Sequence, residues 1–315
     1  LSTERAPRPE TTCTDVGQDV SGFVTTGGGA TVLRFITAGV LVVLLTGCSG
    51  TSGSTTPSVA PSSEAAGSPT TTAASFDDLF DVGEYDLRMA CSGSGSPTVV
   101  YFEGLGGKST RTLMAGLGGL LAPQQRFCAY DRVNTGLSGD QQAMHTGADS
   151  VRDLNVLLAA ANVDGPYLLI GEGWGGVLAT MYAGTHPADV TGLLLVESAL
   201  PTDDEIEILY PPAELERLKA EWNAVEREDL YATLPEAKKA MRSIPDIPVV
   251  FLVTERPPAA RDLDKRIEAL ADVKRAEFVA QFRQGRIVPV DADFEMAVNK
   301  PEILVAEVRR MAAAS

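Results

Sequence analysis

Residues 171–176 read Gly171-Glu172-Gly173-Trp174-Gly175-Gly176 and stand between an apolar run and a stretch of helical periodicity. Two chemistries use glycines at this spacing. In G-x-S-x-G a serine is lifted out of a sharp strand-to-helix turn, and small flanking residues let the turn pack closely. In G-x-G-x-x-G the glycines let the backbone approach a pyrophosphate, whose charge rests on the helix N-terminus. The first pattern lacks its hydroxyl, because Gly173 holds the nucleophile's place. The second carries the Trp174 indole where a phosphate has to come close.

Either chemistry needs a strand before the turn and a helix after it, and the chain alternates the two. Thr98 to Phe102 (TVVYF) reads as a buried strand, followed by Glu103-Gly104-Leu105-Gly106-Gly107 and a helical segment. The strand Arg126 to Tyr130 leads into Asp131-Arg132-Val133-Asn134. A helix follows with Val151, Leu154, Leu157 and Leu158 on one face, and Ser150 and Asp153 stand at capping-box spacing for its start. Tyr167 to Ile170 is the strand before the hexapeptide, and the helix Val177 to Thr185 comes after it. Thr191 to Val196, Pro248 to Val253 and Arg286 to Val290 read as further strands, with helices over 263–282 and from Pro301. Between residues 201 and 244 the rhythm changes to a helical insertion, with Leu215, Leu218, Trp222 and Val225 on one face. The expected fold class is α/β, a mostly parallel sheet with helices on both faces and a small helical cap.

The blocks YF-EGLGG, YDRVNTGLS, YLLIGEGWGG, YAGTHPADVTGLLLVE and NKPEILVAEV follow one another in this order. Together they resemble the α/β-hydrolase superfamily, closest to bacterial secreted hydrolases of the esterase or peptidase kind. The resemblance spans residues 85–312 and implies a nucleophile, a base, an acid and an oxyanion hole. It puts Gly173 at the nucleophile position, Phe294 at the histidine position seven residues before Pro301, and Pro257 at the acid position. Glu197, at the end of the preceding strand, is the alternative acid. The oxyanion donors it implies are the backbone amides of Leu105 and Trp174, with Gly104 and Glu172 in the pocket. The chain has two histidines, and neither stands where the base belongs: His186 closes the helix after the hexapeptide, and His145 reads as a solvated loop residue. The resemblance therefore implies a degenerate triad, and a former active site that holds a small-molecule or peptide ligand. An active ester or amide hydrolase using Glu172 or Ser109 is the alternative. A dinucleotide-binding oxidoreductase, with Glu197 as the ribose-binding acid, is the second alternative. No cofactor or metal is expected.

The rest of the chain speaks to location. Arg34 precedes an apolar run, Phe35 to Leu45, that ends in Leu45-Thr46-Gly47-Cys48. The run is shorter than the roughly 20 residues that cross a bilayer. Its ending resembles a bacterial lipobox, which implies cleavage before Cys48 and acylation of its thiol. Residues 1–47 are then a leader and lipoprotein signal peptide. Residues 48–75, nearly all Ser, Thr, Gly, Pro and Ala, form a flexible tether. Residues 76–315 make up the folded domain, exported and facing outward from a bacterial membrane. Cys91 and Cys128 are the two cysteines left in that domain, as a disulfide or as two buried thiols. The sheet order of the resembling fold sets their strands side by side, which favours the disulfide. With 42 acidic and 26 basic residues the net charge is −16, which argues against nucleic acid as a partner.

Overall fold

Residues 75–107, 110–255, 257 and 259–313 are described by the computed structural model. The leader, Cys48 and the tether up to residue 74 lie outside them, as does Ser109. The described chain starts with a hairpin of β1 (Phe76–Asp81) and β2 (Asp86–Ser92), then β3 (Thr98–Phe102). A helical stretch follows, α1 (Thr110–Leu113), a π-helical segment Met114–Gly118, and α2 (Gly119–Leu121). Next come β4 (Phe127–Tyr130), α3 (Gly147–Ala160), β5 (Tyr167–Glu172), α4 (Gly175–Thr185) and β6 (Val190–Val196). The insertion holds α5 (Asp204–Glu207), α6 (Pro212–Glu226) and α7 (Leu230–Met241). The chain then returns through β7 (Val249–Thr254), α8 (Asp262–Val279), β8 (Arg286–Val290), α9 (Met296–Asn299) and α10 (Pro301–Ala312).

The eight strands form one sheet in the order β1-β2-β4-β3-β5-β6-β7-β8. The two pairings that involve β2 are antiparallel, and the other five are parallel. Side chains alternate across a strand, so a sheet covered on both faces needs apolar residues at every position. That is how β3 and β5 are built. Val100, Phe102 and Leu169 enter one hydrophobic cluster with residues of α3, α4, α7 and α8. Val99, Tyr101, Leu168 and Ile170 enter the other, with residues of α1, α9 and α10.

The structure corrects two details of the sequence reading. α3 starts at Gly147, and the capping box is Thr146 with Asp149, whose carboxylate accepts the Thr146 amide at 2.9 Å. Ser150 and Asp153 share that spacing but lie inside the helix, facing inward. The strand β1 was not read at all, because Asp77, Asp78 and Leu79 lie exposed on a sheet edge and hide the pattern of a buried strand.

Cys91 and Cys128 sit directly opposite each other on β2 and β4 and form a disulfide. The bridge closes a sequence separation of 37 residues. By loop-closure entropy such a link stabilises by about 3–4 kcal/mol, less whatever the unfolded state retains. Replacing both cysteines by alanine is expected to lower the unfolding free energy by roughly 2–4 kcal/mol. Urea melts without reductant measure this, and an unchanged midpoint would show that β-pairing alone holds the two strands.

Candidate functional site

At the carboxyl ends of the central strands, β5 turns into α4 through Gly173 and Trp174. Gly173 has φ +52°, the left-handed region, which L side chains adopt only at a cost. A Cβ placed there would meet the Gly104 Cα at 3.5 Å, an ordinary contact, so the position has room for a side chain. Gly175 is different. A Cβ on it would come within 2.2 Å of the Phe102 carbonyl oxygen and 2.4 Å of that of Glu103. The glycine spacing thus serves to seat α4 against the end of β3, which is the packing demand of an elbow. It is not an opening for a pyrophosphate.

The loop after β3 forms the facing wall. Arg132, which follows β4, is buried and holds this loop by its backbone: Nη1 donates to the Glu103 carbonyl at 2.6 Å and Nη2 to that of Gly104 at 2.9 Å. The same guanidinium reaches both carboxylate oxygens of Glu226 at 2.8 Å. Glu226 also accepts the Gly106 amide at 2.7 Å. Burial alone would lower the Arg132 pKa, but the Glu226 carboxylate outweighs it and holds the group above its usual value. Breaking such a buried pair from one side leaves an uncompensated charge and costs about 3–5 kcal/mol.

A second buried cluster lies behind the elbow. The Trp174 indole donates to Glu228 at 2.5 Å, and the Ser150 hydroxyl donates to the same carboxylate at 2.9 Å. His145 lies 3.5 Å from it through Nε2 and is only 2 % exposed, which corrects the reading of a solvated loop residue. The segment Arg227 to Asp229 covers it, bonded to the His145 backbone on both sides. His186 stacks on Tyr182 at the C-terminus of α4, with ring centroids 4.3 Å apart. Neither histidine lines the cavity above the elbow.

That cavity measures about 640 Å³. Gly104, Leu105, Gly173 and Trp174 line it, so the two residues whose amides the resemblance names share its wall. Phe294, in the loop between β8 and α9, is also part of the wall although it is half exposed. Pro257 lies exposed in the loop after β7 and is not part of the lining. Glu172 is buried, not solvent-facing, and accepts the Tyr101 hydroxyl at 2.5 Å. Burial and then the Glu172 charge keep that phenol well above its normal pKa. Glu197 has φ +45° and also lines the cavity, and one of its carboxylate oxygens accepts the Thr254 amide, so it ties the ends of β6 and β7 together. Among the described residues no group of three or more His, Cys, Asp or Glu side chains is placed to hold a metal ion.

A family model described as the alpha/beta hydrolase fold matches residues 97–291. The chain belongs to the α/β-hydrolase fold family. Its sequence is 28% identical to the uncharacterized protein YqjL of Bacillus subtilis (strain 168) over 164 residues, which make up 51% of this chain and 62% of YqjL. Less than two thirds of that relative is therefore spanned. Among solved structures, mouse alpha/beta hydrolase domain-containing protein 10 has a TM-score of 0.57 at 16% identity, covering 75% of this chain and 97% of its own. A haloalkane dehalogenase variant from Bradyrhizobium elkanii has a TM-score of 0.52 at 15% identity, covering 76% and 97%. At these identities the likeness concerns the fold.

Sequence reasoning expects a cap over residues 201–244 but names none of its side chains for the site. Asp203, Glu207, Tyr210 and Trp222 close the cavity from above. The available signal was the face carrying Trp222 on α6, which is half buried because it looks into a cavity instead of a packed core. Burial raises the Asp203 pKa to about 6, against the pull of the Leu200 amide and Arg275 and with a small push from Asp204. Burial raises Glu207 to about 7, opposed by Lys219 and the Tyr231 hydroxyl and assisted by Asp203 and Asp204.

Two outcomes follow for the folded protein. Gly173→Ala is expected to cost about 1–2 kcal/mol, the strain of a left-handed Cβ. Gly175→Ala is expected to cost clearly more, because backbone must move; equal denaturation midpoints would refute the packing role. The two raised carboxyls keep protons in the folded state at a pH where the unfolded chain has lost them. Stability is accordingly expected to fall as pH rises from about 4 to about 7. Asp203→Asn/Glu207→Gln should flatten that part of the stability–pH curve, and an unaltered slope would place the titration elsewhere.

Proposed function

We propose that this protein is a ligand-binding member of the α/β-hydrolase fold family that performs no acyl-transfer hydrolysis, exported and held to a bacterial membrane by lipid on Cys48. The observation that carries the reading is Gly173, a residue without a side chain at the tip of an otherwise intact elbow. A Ser-His-Asp mechanism needs a nucleophile, a base that takes its proton and an acid that orients the base. Phe294 and Pro257 hold the base and acid positions that the family resemblance implies, and neither can carry a proton. The cavity and the loop held by Arg132 support retention of a pocket for a small molecule or peptide. The lipid anchor is supported by the sequence Leu45-Thr46-Gly47-Cys48 and the tether after it. No helix among the described residues is long and apolar enough to cross a membrane.

One observation favours a second reading. Glu172 is a buried carboxylate on the cavity wall, oriented by Tyr101, and a carboxylate so placed can direct a water at an ester held over the elbow.

The first reading expects no labelling by a fluorophosphonate probe and no p-nitrophenyl acetate turnover above heat-killed protein. Turnover that disappears in Glu172→Gln would establish the second reading instead. Gly173→Ser alone should stay inactive because no base stands beside it. Gly173→Ser combined with Phe294→His is the variant expected to gain fluorophosphonate labelling. Activity from the single change would show that the base lies elsewhere.

A further inference from the structure

Among the described residues the chemistry of the cavity wall is one-sided. Glu103, Glu172, Glu197, Asp203, Glu207 and Glu295 all line it, and among the described residues no Lys, Arg or His does. Carboxylates around a low-dielectric recess focus a negative potential into it, which concentrates cations and repels carboxylates and phosphates. Interleaved with them are the rings of Trp174, Tyr210, Trp222 and Phe294. The faces of such rings attract a positive charge within about 6 Å. Two of the acids stand out. Asp203 and Glu207 are four residues apart along the α5 turn, so they project from one side of it. Neither makes an ion pair among the described residues. The two cations that act on them from a distance also have contacts of their own: the Lys219 ammonium lies over the Tyr231 ring at 4.5 Å, and the Arg275 guanidinium binds Asp272.

We infer that the cavity selects an organic cation, a protonated amine or quaternary ammonium, seated against Trp222 and Tyr210 and balanced by Asp203 and Glu207. The inference rests on the reading of this cavity as a binding pocket. A bare metal ion does not suit the site, since the described carboxylates are not gathered to ligate one. An organic cation does suit it, because charge and ring contacts are spread over a volume of about 640 Å³, within the usual range of about 300–1,000 Å³ for small-molecule sites. The raised pKa values of the two acids agree with this, since a cation is the occupant that draws off their protons.

Both tryptophans of the chain, Trp174 and Trp222, line the cavity, so intrinsic fluorescence reports occupancy directly. The full chain is titrated with benzyltrimethylammonium, benzyl alcohol and phenylacetate at about pH 8, where both acids are ionised. The expected result is a Kd for the cation roughly tenfold or more below that of either other probe. Asp203→Asn/Glu207→Gln, which keeps the side-chain shapes, should weaken the cation by about tenfold and leave benzyl alcohol unaffected. Equal response to the three probes, tightest binding of phenylacetate, no response to the cation, or an unchanged cation Kd in the double variant would each overturn the inference. p-Nitrophenyl acetate hydrolysis measured on the same samples separates the two levels. Turnover sinks the non-hydrolytic reading, whereas the three titrations alone decide the charge preference.

Discussion

Arg132 makes four hydrogen bonds from a buried position, two to the backbone of the loop after β3 and two to Glu226 at the end of α6. A planar guanidinium presents its donors in a fixed fork, so satisfying all four fixes the relative place of three segments far apart in sequence. The segment after β4, the loop after β3 and the cap helix are set against one another by this single residue. Glu226 extends the constraint by taking the Gly106 amide, and Asn134 extends it again by donating to the Glu226 carbonyl at 2.8 Å. The cavity exists because these parts cannot collapse onto each other. Retaining a buried ion pair is seldom a route to extra stability, and here its evident consequence is a fixed geometry.

The cluster around Glu228 plays a parallel role one residue pair further on. Its bond from Trp174 links the elbow to the junction of α6 and α7, while Ser150 and His145 link that junction to α3. The residue after the nucleophile position is thus clamped from behind as Gly173 is held in front. The glycine at position 175 and the backbone bond from Ala199 to the Gly173 carbonyl at 2.9 Å belong to the same framework.

The sequence revealed the parts of this molecule whose signals are local. TVVYF and YLLI are continuous apolar runs because both faces of the sheet are covered, and so they stood out as strands. The elbow glycines stood out through their spacing. β1 did not, since an edge strand needs to bury only Phe76 and Phe80 in part and shows acids between them. His145 looked solvated because its neighbours in sequence are polar, and the segment that buries it lies some eighty residues away. Glu226 and Glu228 gave no hint of burial for the same reason: their partners, Arg132 and Trp174, come from different elements. The acidic wall of the cavity escaped notice because its members are scattered from Glu103 to Glu295 and meet only in the fold.

The disulfide between β2 and β4 sits where the sheet changes from antiparallel to parallel pairing. The chain enters the domain at Phe76, which is paired with Cys91 itself. Tension applied through the N-terminal segment would therefore meet the β1–β2 ladder end-on and open it one rung at a time. The second rung, Asp77, is already held by two bonds from Arg88, and beyond the hairpin the covalent link stops the tear at β2. Such a load would be met at this edge of the sheet. The cavity, built on β3, β5 and β6 and the insertion, stands outside the path of the force.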